Sequence, residues 1–201
     1  ALGIFLIDRY PQNYHGFIGT GQMIDFAETE RLDYAKALEI AAQRGDTDMV
    51  NRLKANGEAP YYGNDMVWKS ALYLNYLSSY MASLPEVTNS GYNTFRDVLS
   101  SEYGLLDKIN FFRGIIFTFN NVYQQLYSID LRRDFNKLEV PVYLFLGRYD
   151  FNAPTSLAEE YFQVLDAPEK KLVWFEHSAH SPWVNEKEKF AREVISCFLG
   201  E

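Results

Sequence analysis

Two short apolar runs at residues 140–147 and 171–175, separated by one amphipathic stretch and followed by another, constrain the fold more than any other feature of this chain. Both runs are dense in β-branched and aromatic residues, as strands require. Between them, Pro154 precedes Thr155-Ser156-Leu157-Ala158-Glu159. That string reads as a helix start in which Ser156 caps and Glu159 returns the bond, and the helix runs to about Asp166. After the second run, residues 186–199 repeat apolar positions at Phe190, Val194, Ile195 and Phe198, a helical stripe suited to packing on a sheet. Strands joined through helices pair in parallel, so the expected class is α/β.

Upstream, residues 1–10 are apolar nearly throughout and stop at Pro11, the pattern of a buried helix. A third strand is expected at residues 14–20, where Phe17 and Ile18 stand between Gly16 and Gly19, and Gly21 permits a tight exit. Residues 25–133 differ in kind. They are rich in Tyr and Phe, poor in strand signal and broken at Pro60, Gly63, Pro85 and Gly91, with Asp46 or Thr47 able to cap a helix. The expected organisation is a core over 1–24 and 134–201, interrupted by a helical lid over 25–133. Within the lid, residues 37–57 resemble a single ankyrin repeat. A repeat fold needs about three stacked copies and neither flank supplies one, so a local helix-turn-helix is expected.

Twenty-seven acidic against nineteen basic residues give a net charge of -8, which leaves no basic stripe for nucleic acid to follow. The single cysteine, Cys197, cannot form an internal disulfide and reads as a small core residue. No Asn-x-Ser/Thr acceptor is present, and a reducing cytoplasm is the expected compartment. The apolar stretch at 111–119 is interrupted by Arg113 and Gly114 and is far shorter than the ~20 residues of a membrane span, so no membrane association is expected. The chain begins on Ala1 inside an amphipathic pattern, which reads as a fragment.

The residues that carry chemistry stand at the ends of the two late strands. Asp150 follows the first run and His180, in Glu176-His177-Ser178-Ala179-His180-Ser181-Pro182, follows the second. An acid and a histidine at successive strand ends supply the orienting carboxylate and the general base that hydroxyl activation requires. His177 competes for the base role and reads as a partly buried neighbour, while His15 reads as structural. No nucleophile on a Gly-x-Ser-x-Gly turn occurs in the chain. Tyr62, Trp68, Tyr73, Tyr76 and Tyr80 are candidates to line a substrate pocket, with Trp68 and Tyr73 foremost. Asp46-Thr47-Asp48 lacks the further ligands of a calcium loop, and His177 with His180 lacks a helical zinc context. No metal and no cofactor are expected.

These residues resemble the alpha/beta-hydrolase superfamily, specifically the lid-bearing branch that includes the proline iminopeptidases, and the likeness covers the whole chain. Ala1-Leu2-Gly3-Ile4-Phe5-Leu6-Ile7-Asp8-Arg9-Tyr10-Pro11 is similar to the helix that follows the family's nucleophile elbow, which implies a serine a few residues before Ala1. Gly147-Arg148-Tyr149-Asp150 resembles the end of the seventh strand, giving Asp150 the acid role. His180-Ser181-Pro182 resembles the histidine loop, giving His180 the base role, with Ala179 where glycine is usual. The resemblance implies parallel strands six to eight and a serine hydrolase acting on a small amide or ester. The present residues alone would then be inactive, without nucleophile or oxyanion hole. It also implies an upstream segment or second chain paired with residues 14–20, and lid carboxylates that bind a substrate's amino terminus, for which Asp25, Glu28 and Glu30 are the candidates. A non-catalytic binding module on the same fold is the rival reading, and an ankyrin-type interaction protein a more distant one.

Overall fold

The computed structural model describes residues 2–88 and 94–199. The expected break at Gly91 lies outside them. Three parallel strands, β1 (Phe17–Thr20), β2 (Val142–Gly147) and β3 (Lys170–Phe175), form a sheet in that order. Helix α1 (Leu2–Arg9) precedes β1, and a 3-10 turn at Pro11–Asn13 separates them. That turn begins at Pro11 and ends with Tyr14 donating its N–H to Pro11 O, which takes Tyr14 out of the expected strand, so β1 is shorter than residues 14–20.

Every residue of β2 is buried, and its side chains alternate between two cores. Val142, Leu144 and Leu146 face Ile4 and Ile7 of α1 and Leu157, Ala158 and Tyr161 of α8 (Thr155–Val164). Tyr143 and Phe145 face Val173, Phe175 and the inner stripe of α10 (Lys187–Leu199), with Phe190, Val194 and Cys197 packed against them. The rings of Phe145 and Phe190 meet edge-on at 5.5 Å. Burying each such ring contributes roughly 1.5–3 kcal/mol, so the central strand anchors both helical layers.

One local expectation is corrected here. Helix α8 begins at Thr155, directly after Pro154, and no side chain caps it. Ser156 and Glu159 therefore lie inside the helix, where the reciprocal capping bonds cannot form. The final helix expected over residues 186–199 is α10, and a short α9 (Pro182–Asn185) precedes it.

Between β1 and β2 the described chain is helical: α2 (Phe26–Gln43), α3 (Thr47–Asn56), α4 (Met66–Ala82), α5 (Thr94–Val98), α6 (Leu105–Asn121) and α7 (Leu131–Asp134). Helices α2 and α3 make the expected helix-turn-helix. Asp46 caps α3 by accepting from the Met49 N–H, and Gly45 supplies the positive φ of the turn. Tyr34, Ala37, Leu53, Met66, Tyr73 and Leu77 form a separate core for this segment. No described helix is long and apolar enough to cross a membrane.

Candidate active site

The sheet register builds the site. Gly147 of β2 pairs with Phe175 of β3, and Thr20 of β1 with Phe145 of β2, so all three strands end at one edge. Loops outside the carboxyl ends of parallel strands are where open α/β sheets bind ligands. The loops at 148–153 and 176–181 are stitched together there: Arg148 N–H donates to Phe175 O at 2.9 Å and Tyr149 N–H to Ser178 O at 3.0 Å.

Asp150 is 4% exposed, and its Oδ1 accepts from the backbone N–H groups of Asn152 at 2.9 Å and Ala153 at 3.0 Å. This turn into α8 fixes the carboxylate. Its Oδ2 lies 3.0 Å from His180 Nδ1, whose ring keeps 40% side-chain exposure. The Asp150 charge raises the His180 pKa above its ordinary value; burial opposes the rise and the hydrogen bond adds to it. With Nδ1 occupied by the carboxylate, Nε2 is the nitrogen left to move a proton.

Gly21, at φ +53°, closes over this pair. A Cβ there would stand 2.6 Å from His180 Cε1 and 3.3 Å from Asp150 Oδ2. The tight exit from β1 thus brings backbone against the imidazole where no side chain fits. His177 stands apart: its ring is exposed rather than partly buried, and its backbone N–H donates to Glu186. His15 is also exposed, ahead of β1.

The candidate binding residues are not gathered around this pair. Asp25 caps α2 by accepting from the Glu28 N–H, and Arg132 ion-pairs with Asp25 at 3.3 Å and Glu28 at 2.7 Å. Glu30 is 1% exposed and accepts from the hydroxyls of Tyr73, Tyr123 and Ser70. Burial raises the Glu30 pKa, and those hydroxyls offset part of the rise. Tyr73 is fully buried, with its hydroxyl on Glu30, so it serves as core rather than as an open pocket wall. Trp68 is 65% exposed and lines a groove with Met49, Arg52 and Leu72 that shares no residue with the Asp150 cavity. It belongs to the outer surface of the helical segment.

That Asp150 cavity, about 230 Å3, is walled by Leu32, Asp33, Lys36, Arg148 and Phe151. Asp33 carried no motif signal in the sequence. It is 2% exposed, its Oδ1 has no hydrogen-bond partner, and its pKa is pushed up to about 9 by burial first and then by Glu30 and Asp150. Among the described residues no cluster of His, Cys, Asp or Glu could hold a metal ion.

No family model matches the chain. Over 203 aligned residues it is 24% identical to the probable aminopeptidase YbaC of Bacillus subtilis, covering 96% of this chain and 60% of that protein. A pimeloyl-[acyl-carrier protein] methyl ester esterase of Vibrio vulnificus is 33% identical over 78 residues, 39% of this chain and 29% of the esterase. Among solved structures, VinJ superimposes with a TM-score of 0.63 at 13% identity, over 99% of this chain and 62% of VinJ. An alpha/beta fold family hydrolase from Bacillus anthracis superimposes with a TM-score of 0.51 at 17% identity, over 96% of this chain and 62% of the other. The chain thus spans about 60% of the length of the relatives that it matches along nearly its whole extent. The three parallel strands flanked by helices, together with these superpositions, show that the chain has an alpha/beta-hydrolase fold.

Proposed function

We propose that Asp150 and His180 are the acid and base of a serine-hydrolase triad whose nucleophile lies outside these 201 residues. The observation that supports this reading is the 3.0 Å contact between a buried carboxylate and a half-exposed imidazole at the carboxyl edge of a parallel sheet. In that reading His180 Nε2 takes the serine proton as the hydroxyl attacks an amide or ester carbonyl, then returns it to the leaving group. Asp150 holds the tautomer and balances the imidazolium. Residues 25–133 act as the lid over a small-molecule substrate, residues 1–24 and 134–201 supply the core, and the lone Cys197 suits a reducing cytoplasm.

The aminopeptidase reading takes support from YbaC, and the esterase reading from the shorter match to the pimeloyl ester esterase. For a peptide substrate, Glu30 is the carboxylate we assign to a free amino terminus, which would have to displace the Tyr73, Tyr123 and Ser70 hydroxyls that hold it, because Arg132 already neutralises Asp25 and Glu28. The free edge of β1, which pairs only with β2 among the described strands, is assigned to an upstream segment or a second polypeptide.

A serine-directed phosphonate applied to the whole protein tests the triad. Labelling that falls by several orders of magnitude in His180→Ala and little in His177→Ala is the expected result. Labelling indifferent to His180 would overturn it. Comparing a free-amine dipeptide, its acetylated form and a methyl ester then separates the aminopeptidase from the esterase.

A further inference from the structure

His180 is held at the sheet edge by more than Asp150. Its loop is pinned from within by Glu186, whose Oε2 accepts from His177 N–H at 2.9 Å and Ser178 Oγ at 2.7 Å. Both partners belong to the same stretch of chain as the histidine. One further side chain behaves differently. Asn185, at the end of α9, is 3% exposed and uses both ends of its amide. Its Oδ1 accepts from the backbone N–H of Ala179, immediately before His180, at 3.2 Å, and its Nδ2 donates to the backbone carbonyl of Thr88.

Thr88 lies beyond the end of α4, 97 residues from Asn185 in sequence. It also donates its own N–H to His177 O at 3.0 Å. The histidine loop and the segment after α4 are therefore joined by two backbone-directed bonds, and Asn185 carries one of them to the residue next to the imidazole. Apolar packing runs alongside, since Met81, Val87 and Ala179 form one buried cluster with Tyr149 and Phe151 against it. The end of α4 reaches the acid loop as well: Phe151 N–H donates to Met81 Sδ at 3.3 Å, and Asn152 Nδ2 donates to Ser78 Oγ at 3.3 Å. A buried amide satisfied at both ends is costly to disturb, and displacing either partner strands the other.

We propose that Asn185 is a positioning residue that couples the segment after α4 to the alignment of His180 on Asp150. The coupling rests on the reading of His180 as the general base, and it means that a displacement of the Thr88 segment is felt at the imidazole, and the reverse. Asn185 touches no reacting atom. It acts through the Ala179 backbone.

Two variants read this out. Asn185→Ala removes both bonds; Asn185→Asp keeps an acceptor for Ala179 N–H but has no donor for Thr88 O. Circular dichroism first establishes that each is folded, and nitrogen-detected NMR of the imidazole, with hydrogen exchange of the Thr88 amide, then reports the two ends of the tie. In Asn185→Ala the His180 pKa should fall by at least about 0.5 unit as its bond to Asp150 loosens. In both variants the Thr88 amide should exchange at least about 10-fold faster. In the whole protein, kcat should drop about 10- to 100-fold while KM for a small substrate stays within about 3-fold. A folded Asn185→Ala with an unchanged His180 titration and unchanged Thr88 exchange overturns the proposal. A wild-type protein without hydrolase activity would count against the base reading instead, and the NMR arm would still decide the tie.

Discussion

A Cβ atom on Gly147 would overlap the backbone carbonyl oxygen of Ala179 and stand 2.8 Å from that of Ser178. The last residue of β2 is thus pressed against the loop that carries His180, backbone to backbone. Neither side is a flexible side-chain end that could swing away, and Gly147 is locked in register with Phe175. Gly147→Ala should therefore destabilise the fold by more than about 2 kcal/mol and displace the histidine loop. Thermal melting reads the first effect and His180 imidazole shifts the second. A variant that melts with the wild type and keeps those shifts would mean the loop yields freely.

Gly21 faces the same pair from β1 and is constrained twice. Its φ of +53° disfavours any L side chain by about 1–2 kcal/mol. The added methyl would also meet His180 Cε1 at 2.6 Å and Nδ1 at 2.8 Å. The imidazole can rotate out of the way only by giving up Asp150. Gly21→Ala should thus lose turnover in the whole protein out of proportion to its modest loss of stability, about 100-fold or more in kcat. Equal loss of both would point to general unfolding rather than to displacement of His180.

The pairing of Asp150 and His180 has a pH signature. The folded His180 pKa lies above the ordinary 6.5, mainly through the Asp150 charge. The pair's contribution to stability is fully present below 6.5 and is lost as pH rises through the raised value. For a general base the sign is opposite, since only the neutral ring accepts a proton, so activity should rise through that same pKa. Asp150→Asn should lower the His180 pKa and flatten the stability change across this window. Imidazole NMR titration of both proteins checks it, and an unmoved pKa would separate the two residues.

Much of this arrangement was legible in the sequence because strand ends carry it. The alternation over residues 140–175 specifies parallel pairing, and Asp150 and His180 each follow a strand within a few residues, so their meeting needs only register. For the candidate binding residues, the sequence offers residue types but no direction. Trp68 and Tyr73 are five residues apart on α4, about 140° around the helix, so one faces solvent while the other is buried on Glu30. Aromatic spacing alone does not say which. Glu30 is buried by a partner 93 residues away, Tyr123, and Asn185 by Thr88 at 97; such contacts leave no local pattern. The cap expected at Ser156 failed because the helix starts directly behind Pro154.

Asp33 supplies the remaining prediction, because a buried carboxyl group whose Oδ1 has no hydrogen-bond partner has to resolve its charge. Its pKa stands at about 9 against an ordinary 3.8, raised by burial and by the nearby charges of Glu30 and Asp150. Between those values the unfolded chain releases a proton that the folded chain retains. Stability contributed by this group is therefore present below about 3.8 and drains away as pH rises toward 9, by up to ~1.4 kcal/mol per pH unit. The amide introduced by Asp33→Asn carries no charge at any pH and matches the shape of the protonated acid. The variant should be more stable than the wild type by at least about 1 kcal/mol at about pH 8, while at about pH 4 the advantage vanishes. Denaturant melts across about pH 4–9 measure this directly. Parallel pH profiles for the two proteins would mean that Asp33 finds water or a cation in the 230 Å3 cavity it lines and stays ionised there.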